Sequence, residues 1–266
     1  MRKIFFICIA SIVSFSVTAQ KTKEERKQAK KEKITALMKQ EEEGVIAYRK
    51  QTVFGIKLTN DGYGFFMEAG RAQSVNKSLL FQVDFAERKH QKEDKQASVQ
   101  YVSTPFIYGK INFFYPLKLG VQQQILLGNK SNKNGVSVTA NFGGGISLGL
   151  LRPYMLSVFD DSTGARKYIR YESADSLFFT DGGKLFEAGV SGPNFGTGWN
   201  KIKITPGLYA KAALRFDYAR FNEVVNALEV GVTGEYYTKK IPQLAYTKYR
   251  SAFFNIYVAI LFGKRK

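Results

Sequence analysis

The sequence predicts an all-β fold: a closed antiparallel transmembrane β-barrel of about ten strands, with eight or twelve as alternatives. Three observations predict it. Stretches in which apolar and polar residues alternate recur after about residue 50, as strands with two different faces require. The sequence contains 22 Phe, 15 Tyr and 24 Gly but only 6 Pro. A composition rich in aromatic residues and glycine suits many regularly spaced strands. The N-terminus has the pattern of an export signal.

Residues 1–19 have the three parts of a cleavable signal peptide. Two basic residues follow Met1, an apolar run covers 4–13, and small residues at 17–19 fit the cleavage rule. We therefore expect the mature chain to begin at or near Gln20. The apolar run is shorter than the ~20 residues that a membrane-spanning helix needs, so an uncleaved anchor is the less favoured alternative.

Residues 20–48 are predicted to form a short, charged, helical extension in the periplasm. Its charge-dense part runs from Lys21 to Glu43, contains no Gly, Pro or aromatic residue, and is rich in helix-forming residues. Gly44 is the predicted stop. Two interpretations stay open: a frayed, solvated helix without a specific role, and a periplasmic tether that contacts a partner protein or the inner leaflet of the membrane.

Residues 49–266 are predicted to form the barrel. The alternation is clearest in residues 202–216, where apolar residues at even positions alternate with residues such as Lys203, Lys211 and Arg215. Ten segments show this period of two, with turns predicted at Asn60-Asp61-Gly62 and at Pro116. The segments lie at about 53–58, 63–69, 79–85, 105–115, 119–127, 136–148, 154–159, 202–216, 228–236 and 252–262.

The lengths of the predicted connections favour an outer-membrane barrel with both termini in the periplasm. With an even number of strands and a periplasmic N-terminus, the three longest connections fall on the outside: 87–103, 160–200 and 239–250. Short connections at 116–117, 151–153 and 218–222 then fall on the periplasmic side, as such barrels show. A soluble extracellular β-sandwich is the structural alternative, because alternation alone does not say whether the apolar face meets lipid or a core.

In the barrel, the polar face of each strand lines the lumen. Because unpaired charges in a narrow lumen are costly, while paired ones are tolerated, we expect a salt-bridged interior filled with side chains, in preference to a charged conduction path. The predicted lumen charge network comprises Lys57, Glu68, Asp84, Lys110, Lys203, Lys211, Arg215, Glu229 and Glu235.

Signals of catalysis or cofactor binding are weak. His90 is the only histidine and lies in a polar segment with Glu87, Glu93 and Asp94. An acid–base dyad is conceivable there, but a solvated, charged loop is favoured. One histidine and no cysteine after residue 19 leave no transition-metal site. We therefore expect no catalytic residue, no cofactor and no metal, and a protein that is not an enzyme.

The formal net charge of +18 favours anionic partners. Because the chain carries a predicted export signal, outer-membrane lipids and lipopolysaccharide are the expected counter-charges, and nucleic acid is not. Other envelope proteins are expected to bind through residues 21–43 or the 160–200 loop.

Several segments carry a family resemblance. They are the leader end Thr18-Ala19-Gln20, GGGISLGLLRPY (143–154), PGLYAKAALRFDY (206–218) and the C-terminal AFFNIYVAILFGKRK (252–266). In these the chain resembles small outer-membrane β-barrels of the Bacteroidota, a group that includes PorT-like and OmpA/opacity-like barrels. Such barrels usually end on an aromatic residue, whereas here Phe262 is followed by Gly-Lys-Arg-Lys.

The resemblance implies a scaffold or accessory subunit of an envelope or secretion assembly. Two alternatives stay open, namely a small ion or solute channel and an enzyme that modifies lipid or lipopolysaccharide.

Overall fold

The computed structural model describes residues 49–74, 76–97, 104–130, 135–160, 164–171, 190–221 and 223–266, together with four helical positions, Gln28, Lys31, Glu32 and Thr35. The chain divides into two compact units, Met1–Ala47 and Tyr48–Lys266. In the first unit, the Thr35 hydroxyl donates a hydrogen bond to the Lys31 carbonyl at 3.0 Å. The predicted leader and most of the predicted extension lie outside the described residues.

The second unit is built from strands. In chain order they are β1 (Lys50–Thr59), β2 (Gly62–Ser74), β3 (Lys77–Arg88), β4 (Lys95–Gln96), β5 (Phe106–Ile107), β6 (Asn112–Gly128), β7 (Ser137–Pro153), β8 (Met155–Asp160), β9 (Ala165–Arg170), β10 (Lys203–Asp217), β11 (Val224–Ile241) and β12 (Arg250–Arg265), with a 3-10 helix at Trp199–Lys201. In the described parts of the chain, none of the helices is long and apolar enough to cross a membrane.

Eight of these strands form one closed antiparallel barrel in the order β1-β12-β11-β10-β7-β6-β3-β2. The ring closes where β1 pairs with β12, in a register that sets Phe54 opposite Phe262 and Leu58 opposite Val258. Closure satisfies the backbone N–H and C=O groups along both strands and removes the sheet edges. The predicted all-β barrel class is therefore confirmed, with eight strands.

The barrel has its apolar face outside and its polar face inside. On β1 the outward Phe54, Ile56 and Leu58 are exposed, Ile56 to 66%, whereas the inward Lys57 is buried. The same alternation holds on β2, where Glu68 is fully buried between exposed neighbours. Because a single closed sheet with an apolar exterior is not two sheets packed on a common core, the β-sandwich alternative is wrong.

The prediction of ten strands is wrong in two places. The end of the predicted segment 105–115, from residue 112 onward, and the predicted segment 119–127 belong to one strand, β6, which continues through Pro116. Pro116 lies opposite Gly149 in an unbroken register with β7, so it marks no turn. A proline is a turn signal in isolation, but here neighbouring strands on both sides hold the chain extended.

The predicted seventh strand at 154–159 is not part of the barrel. It is β8, which pairs with β9 in a separate two-stranded sheet. The predicted turn at 151–153 is accordingly the end of β7. Alternation alone could not separate a barrel strand from a hairpin in a loop, because both have two different faces.

The loops are still distributed asymmetrically. In an eight-stranded antiparallel barrel, the connections 75–76, 129–136 and 218–223 lie at the end that carries the barrel's termini. The connections 60–61, 89–111, 154–202 and 242–249 lie at the opposite end, called the loop end below. The three longest connections thus share one end, as predicted.

A hydrophobic cluster joins the three long connections of the loop end. The Tyr154 hydroxyl accepts a hydrogen bond from the Ile107 backbone N–H at 2.8 Å. Burial, opposed by this bond, raises the pKa of Tyr154 to about 12. The Ala245 N–H donates to the Gly109 carbonyl at 2.7 Å. The loop cluster comprises Phe106, Ile107, Tyr154, Leu156, Val158, Ile169, Val190 and Leu244.

Replacing the buried Leu156 with alanine should destabilise the loop cluster by about 2–5 kcal/mol, the range for a large-to-small change in a packed core. We expect faster amide hydrogen exchange in β8 and β9 and unchanged exchange in the barrel strands. Phe159→Ala, an exposed position on the same strand, is the matched control. An equal acceleration throughout the barrel strands would contradict a locally packed cluster.

Candidate functional site

The interior of the barrel is filled by inward side chains from all eight barrel strands. Eight strands enclose a space that side chains just fill. The inward glycines leave room for neighbouring side chains. A Cβ at Gly120 of β6 would lie 2.3 Å from the Tyr209 hydroxyl oxygen. A Cβ at Gly143 of β7 would lie 2.4 Å from Gln122 Cγ. The barrel strands therefore carry small residues where neighbouring side chains need the room.

The centre of the interior is a charge cluster built around Arg215, which is 1% exposed. Strand register sets Arg215 of β10 directly opposite Glu229 of β11. Its Nε and Nη2 donate to Glu229 Oε2 at 2.8 and 2.6 Å. The same Nη2 donates to Glu68 Oε2 at 2.6 Å. One guanidinium thus joins carboxylates from two sides of the barrel.

Glu229 accepts bonds from several further groups. Lys211 Nζ lies 2.8 Å from its Oε1, and the Tyr257 hydroxyl donates to the same oxygen at 2.6 Å. Asn141 Nδ2 donates to Oε2 at 3.0 Å. Lys211 Nζ also lies 3.7 Å from Glu68 Oε1. Because each buried carboxylate meets more than one cationic group, the cost of removing these charges from water is offset.

A second cluster lies toward the loop end and centres on Glu235. Arg88 donates to both oxygens of this carboxylate, at 3.1 and 2.8 Å. Lys118 Nζ lies 2.6 Å from Oε1, and the Tyr237 hydroxyl donates to Oε2 at 2.7 Å. The Nε of Arg88 forms a further ion pair with Asp61 Oδ2, at 2.8 Å.

Two of these ion pairs cross the full width of the barrel. In the ring order, β2 lies four strands from β10 in either direction, and β3 lies four strands from β11. The Arg215–Glu68 and Arg88–Glu235 pairs therefore join strands on opposite sides of the barrel. Together with their neighbours, they occupy the bore at two levels.

Several other interior groups are also paired. Lys57 bonds Asp84, Gln82 contacts both Asp84 and Gln122, and Arg265 Nη2 lies 2.6 Å from Asp217 Oδ2 near the termini. The interior from the central level to the loop end holds equal numbers of basic and acidic groups. They are Lys57, Arg88, Lys118, Lys211 and Arg215 on one side and Asp61, Glu68, Asp84, Glu229 and Glu235 on the other.

Most of the predicted lumen charge network lies inside the barrel and is buried: Lys57, Glu68, Asp84, Lys211, Arg215, Glu229 and Glu235. Two assignments are wrong. Lys110 lies before β6, in the connection 89–111, where its Nζ bonds Glu93 Oε2 at 2.5 Å. Burial, opposed by Glu93, lowers the pKa of Lys110. Lys203 is exposed because it is the first residue of β10, at the rim.

Sequence reasoning missed Arg88 and Lys118, which both bind Glu235. Arg88 follows Asp84 and Ala86 on the inward face of β3, so extending the alternation by two residues would have found it. Lys118 was hidden by the interpretation of Pro116 as a turn. With β6 continuous, its position next to outward Leu119 assigns it to the interior.

Among the described residues, the His90 ring forms no hydrogen bond with a carboxylate. The His90 backbone N–H, and not its ring, donates to Glu93 Oε1 at 3.0 Å, while Glu93 Oε2 binds Lys110. Glu87 accepts the Tyr63 hydroxyl at 2.6 Å. Within the described ranges, no group of three or more His, Cys, Asp and Glu residues is placed to hold a metal ion.

No protein-family model and no curated protein sequence matches the chain. Similar solved structures include the N-terminal β-barrel domain of Pseudomonas aeruginosa OprF, at 7% identity and a TM-score of 0.35, covering 81% of this chain and 98% of that one. Neisserial surface protein A has 12% identity and a TM-score of 0.36, covering 82% and 96%.

The attachment invasion locus protein Ail of Yersinia pestis, solved with the heparin analogue sucrose octasulfate, has 9% identity and a TM-score of 0.33, covering 82% of this chain and 96% of its own. At these identities and TM-scores the likenesses have no functional weight. The assignment of the barrel rests on the strand pairing itself.

Replacing Arg215 with methionine should cost about 3–5 kcal/mol of unfolding free energy, because Glu68 and Glu229 would lose their shared cation while staying buried. Urea unfolding of the refolded protein in detergent micelles measures this. Arg71→Met, at an exposed position of β2, is the matched control and should change stability by less than about 1 kcal/mol. Equal effects of the two substitutions would contradict a structural role for the central cluster.

Proposed function

We propose that this chain is an integral outer-membrane β-barrel that performs no catalysis and acts as a scaffold or accessory subunit of an envelope assembly. The single observation that carries the proposal is the pair of ion bridges across the bore, Arg215–Glu68 and Arg88–Glu235, inside an apolar wall. Because the bore is filled, the outer wall and the loops are the surfaces through which the barrel contacts other molecules.

The height of the apolar wall supports insertion into a bilayer. On β12 the outward residues from Phe254 to Phe262 are all apolar and exposed, Phe254 to 66%. Eight residue steps at about 3.3 Å each, tilted by about 40°, span ~20 Å, close to the ~25 Å apolar band of outer-membrane barrels. In water, so large an apolar surface would drive aggregation.

Aromatic side chains at both ends of the wall support the same placement. Tyr63 and Tyr236 are exposed toward the loop end, and Tyr218 and Phe221 are exposed in a connection at the end with the termini. Rings at these heights suit the two membrane–water interfaces. With the predicted export signal, the barrel would have periplasmic termini and outward-facing long loops.

The accessory role is supported by what the barrel offers to a partner. The loop cluster holds the long connections together at the loop end, and the charged segment 21–43 is predicted to lie in the periplasm. The resemblance of 143–154, 206–218 and 252–266 to barrels of the Bacteroidota supports a place in an envelope or secretion assembly. The bonds of Glu93 to the His90 backbone N–H and to Lys110, and of Glu87 to the Tyr63 hydroxyl, favour a non-enzymatic role.

The filled bore predicts that the wild-type protein gives no stable unitary conductance in planar bilayers. A general porin reconstituted in the same lipid is the positive control. Stable open steps from the wild-type protein would contradict the filled bore and favour the alternative, a small ion or solute channel. Cell fractionation accompanies this test: native protein in the aqueous periplasmic fraction without detergent would contradict membrane insertion.

The accessory role predicts that tagged protein, extracted from the outer membrane with detergent, co-purifies with other envelope proteins. Replacing residues 21–43 with a Gly-Ser segment of equal length, or shortening the 160–200 connection in the same way, should each remove a subset of those partners. An identical partner set in all variants, or no envelope protein with the wild type, would contradict binding through these segments.

A further inference from the structure

The loop end contains a cavity of about 350 Å³, which shares Arg88 and Asp61 with the second charge cluster. It lies where the 60–61 turn, the start of the 89–111 connection and the 242–249 connection meet the first residues of β12. Its lining residues are Asn60, Asp61, Arg88, Lys89, His90, Gln91, Lys92, Ile241, Gln243, Thr247, Lys248, Arg250, Ala252, Phe253, Phe254 and Asn255.

Four exposed cations line this cavity: Lys89, Lys92, Lys248 and Arg250. Within the described parts of the chain, none of the four forms an ion pair. They differ in this from the cations of the barrel interior and from Lys110, in the same connection as Lys89, which is bound by Glu93. The cavity therefore carries a local excess of positive charge.

The acidic residue of the lining does not neutralise this excess. Asp61 Oδ2 is bound by Arg88 Nε at 2.8 Å, and Asp61 Oδ1 accepts the Thr59 hydroxyl at 3.1 Å. Arg88 in turn belongs to the bridge with Glu235 inside the barrel. The negative charge of Asp61 is thus paired within the interior network and does not neutralise the four cations that line the cavity.

His90 adds a hydrogen-bond donor to the same lining. Its Nδ1 accepts the Lys92 backbone N–H at 3.2 Å, so the neutral ring carries its proton on Nε2. Burial lowers the pKa of His90, opposed by Glu93 and reinforced by Arg250 and Lys92. The lowered pKa favours the neutral ring, which presents its Nε2–H donor beside the cations.

The position and size of the cavity indicate its ligand. Its lining includes Phe254, which is also part of the exposed apolar wall, so the cations lie where the wall gives way to the loops. In an inserted barrel this is the height of the lipid headgroups. A cavity of this volume is within the range of small-molecule sites and has room for a phosphorylated sugar.

We propose that this cavity binds a phosphomonoester group, supplied by a phosphorylated glycolipid headgroup of the outer leaflet. A phosphomonoester carries between one and two negative charges at pH 7 and accepts several hydrogen bonds. Arg250 binds it as a planar fork, Lys89, Lys92 and Lys248 supply point charges, and the His90 ring donates one bond. The lipid source rests on the proposed membrane insertion, whereas recognition of the phosphate does not.

The test uses the full chain, purified in detergent micelles and titrated calorimetrically with lipid A, dephosphorylated lipid A and glucosamine 6-phosphate. We expect lipid A to bind and its dephosphorylated form not to bind. The double variant Lys248→Gln/Arg250→Gln should weaken binding by about tenfold or more, as the loss of charge-assisted hydrogen bonds implies. Lys239→Gln/Lys240→Gln removes the same charge from exposed positions near the end of β11 and should change binding less than about twofold.

Each outcome decides part of the proposal. Equal binding of lipid A and its dephosphorylated form, or equal weakening in both double variants, would overturn the phosphate site. Binding of glucosamine 6-phosphate as tight as that of lipid A would retain the phosphate site and overturn the lipid source. Unitary conductance by the wild-type protein would overturn the filled bore and leave this site standing, so the two proposals fail separately.

Discussion

The pairing of β1 with β12 is the constraint on which the rest of the structure depends. A closed ring fixes the register of every strand, and a shift by one residue would exchange the two faces. In the observed register, Ile56 and Ile260 meet on the outside while Lys57 points inward. The apolar wall and the buried charges both follow from this one closure.

Closure confines charges of both signs to a space that eight strands barely provide. A balance of positive and negative charges is therefore a condition for folding. Single groups achieve it by pairing with two partners each: Arg215 pairs with Glu68 and Glu229, and Glu235 pairs with Arg88 and Lys118. The cations that line the loop-end cavity differ, because they form no ion pair within the described parts of the chain. The interior charges therefore stabilise the barrel, whereas the cavity cations form the proposed ligand site.

The sequence predicted the all-β barrel and the burial of Lys211, Arg215 and Glu229, because a period of two identifies the face of each side chain wherever a strand is continuous. It did not predict that β6 continues through Pro116, or that β8 leaves the barrel. Both depend on which neighbour a strand pairs with, and that is decided between distant segments. The positions of Lys110 and Lys203 were wrong for a related reason: alternation gives the face of a residue and not where its strand begins.

The ion pairs across the bore also bear on how the barrel assembles. Glu68 and Arg215 are 147 residues apart in the chain, and so are Arg88 and Glu235. Neither pair can form until strands from both halves of the chain are in place, which makes these contacts late ones. A hairpin that entered hydrocarbon alone would carry Glu68 or Glu235 without the cations that it meets in the closed barrel, at considerable cost. Insertion one hairpin at a time is thereby disfavoured, and crossing the bilayer becomes coupled to completion of the ring.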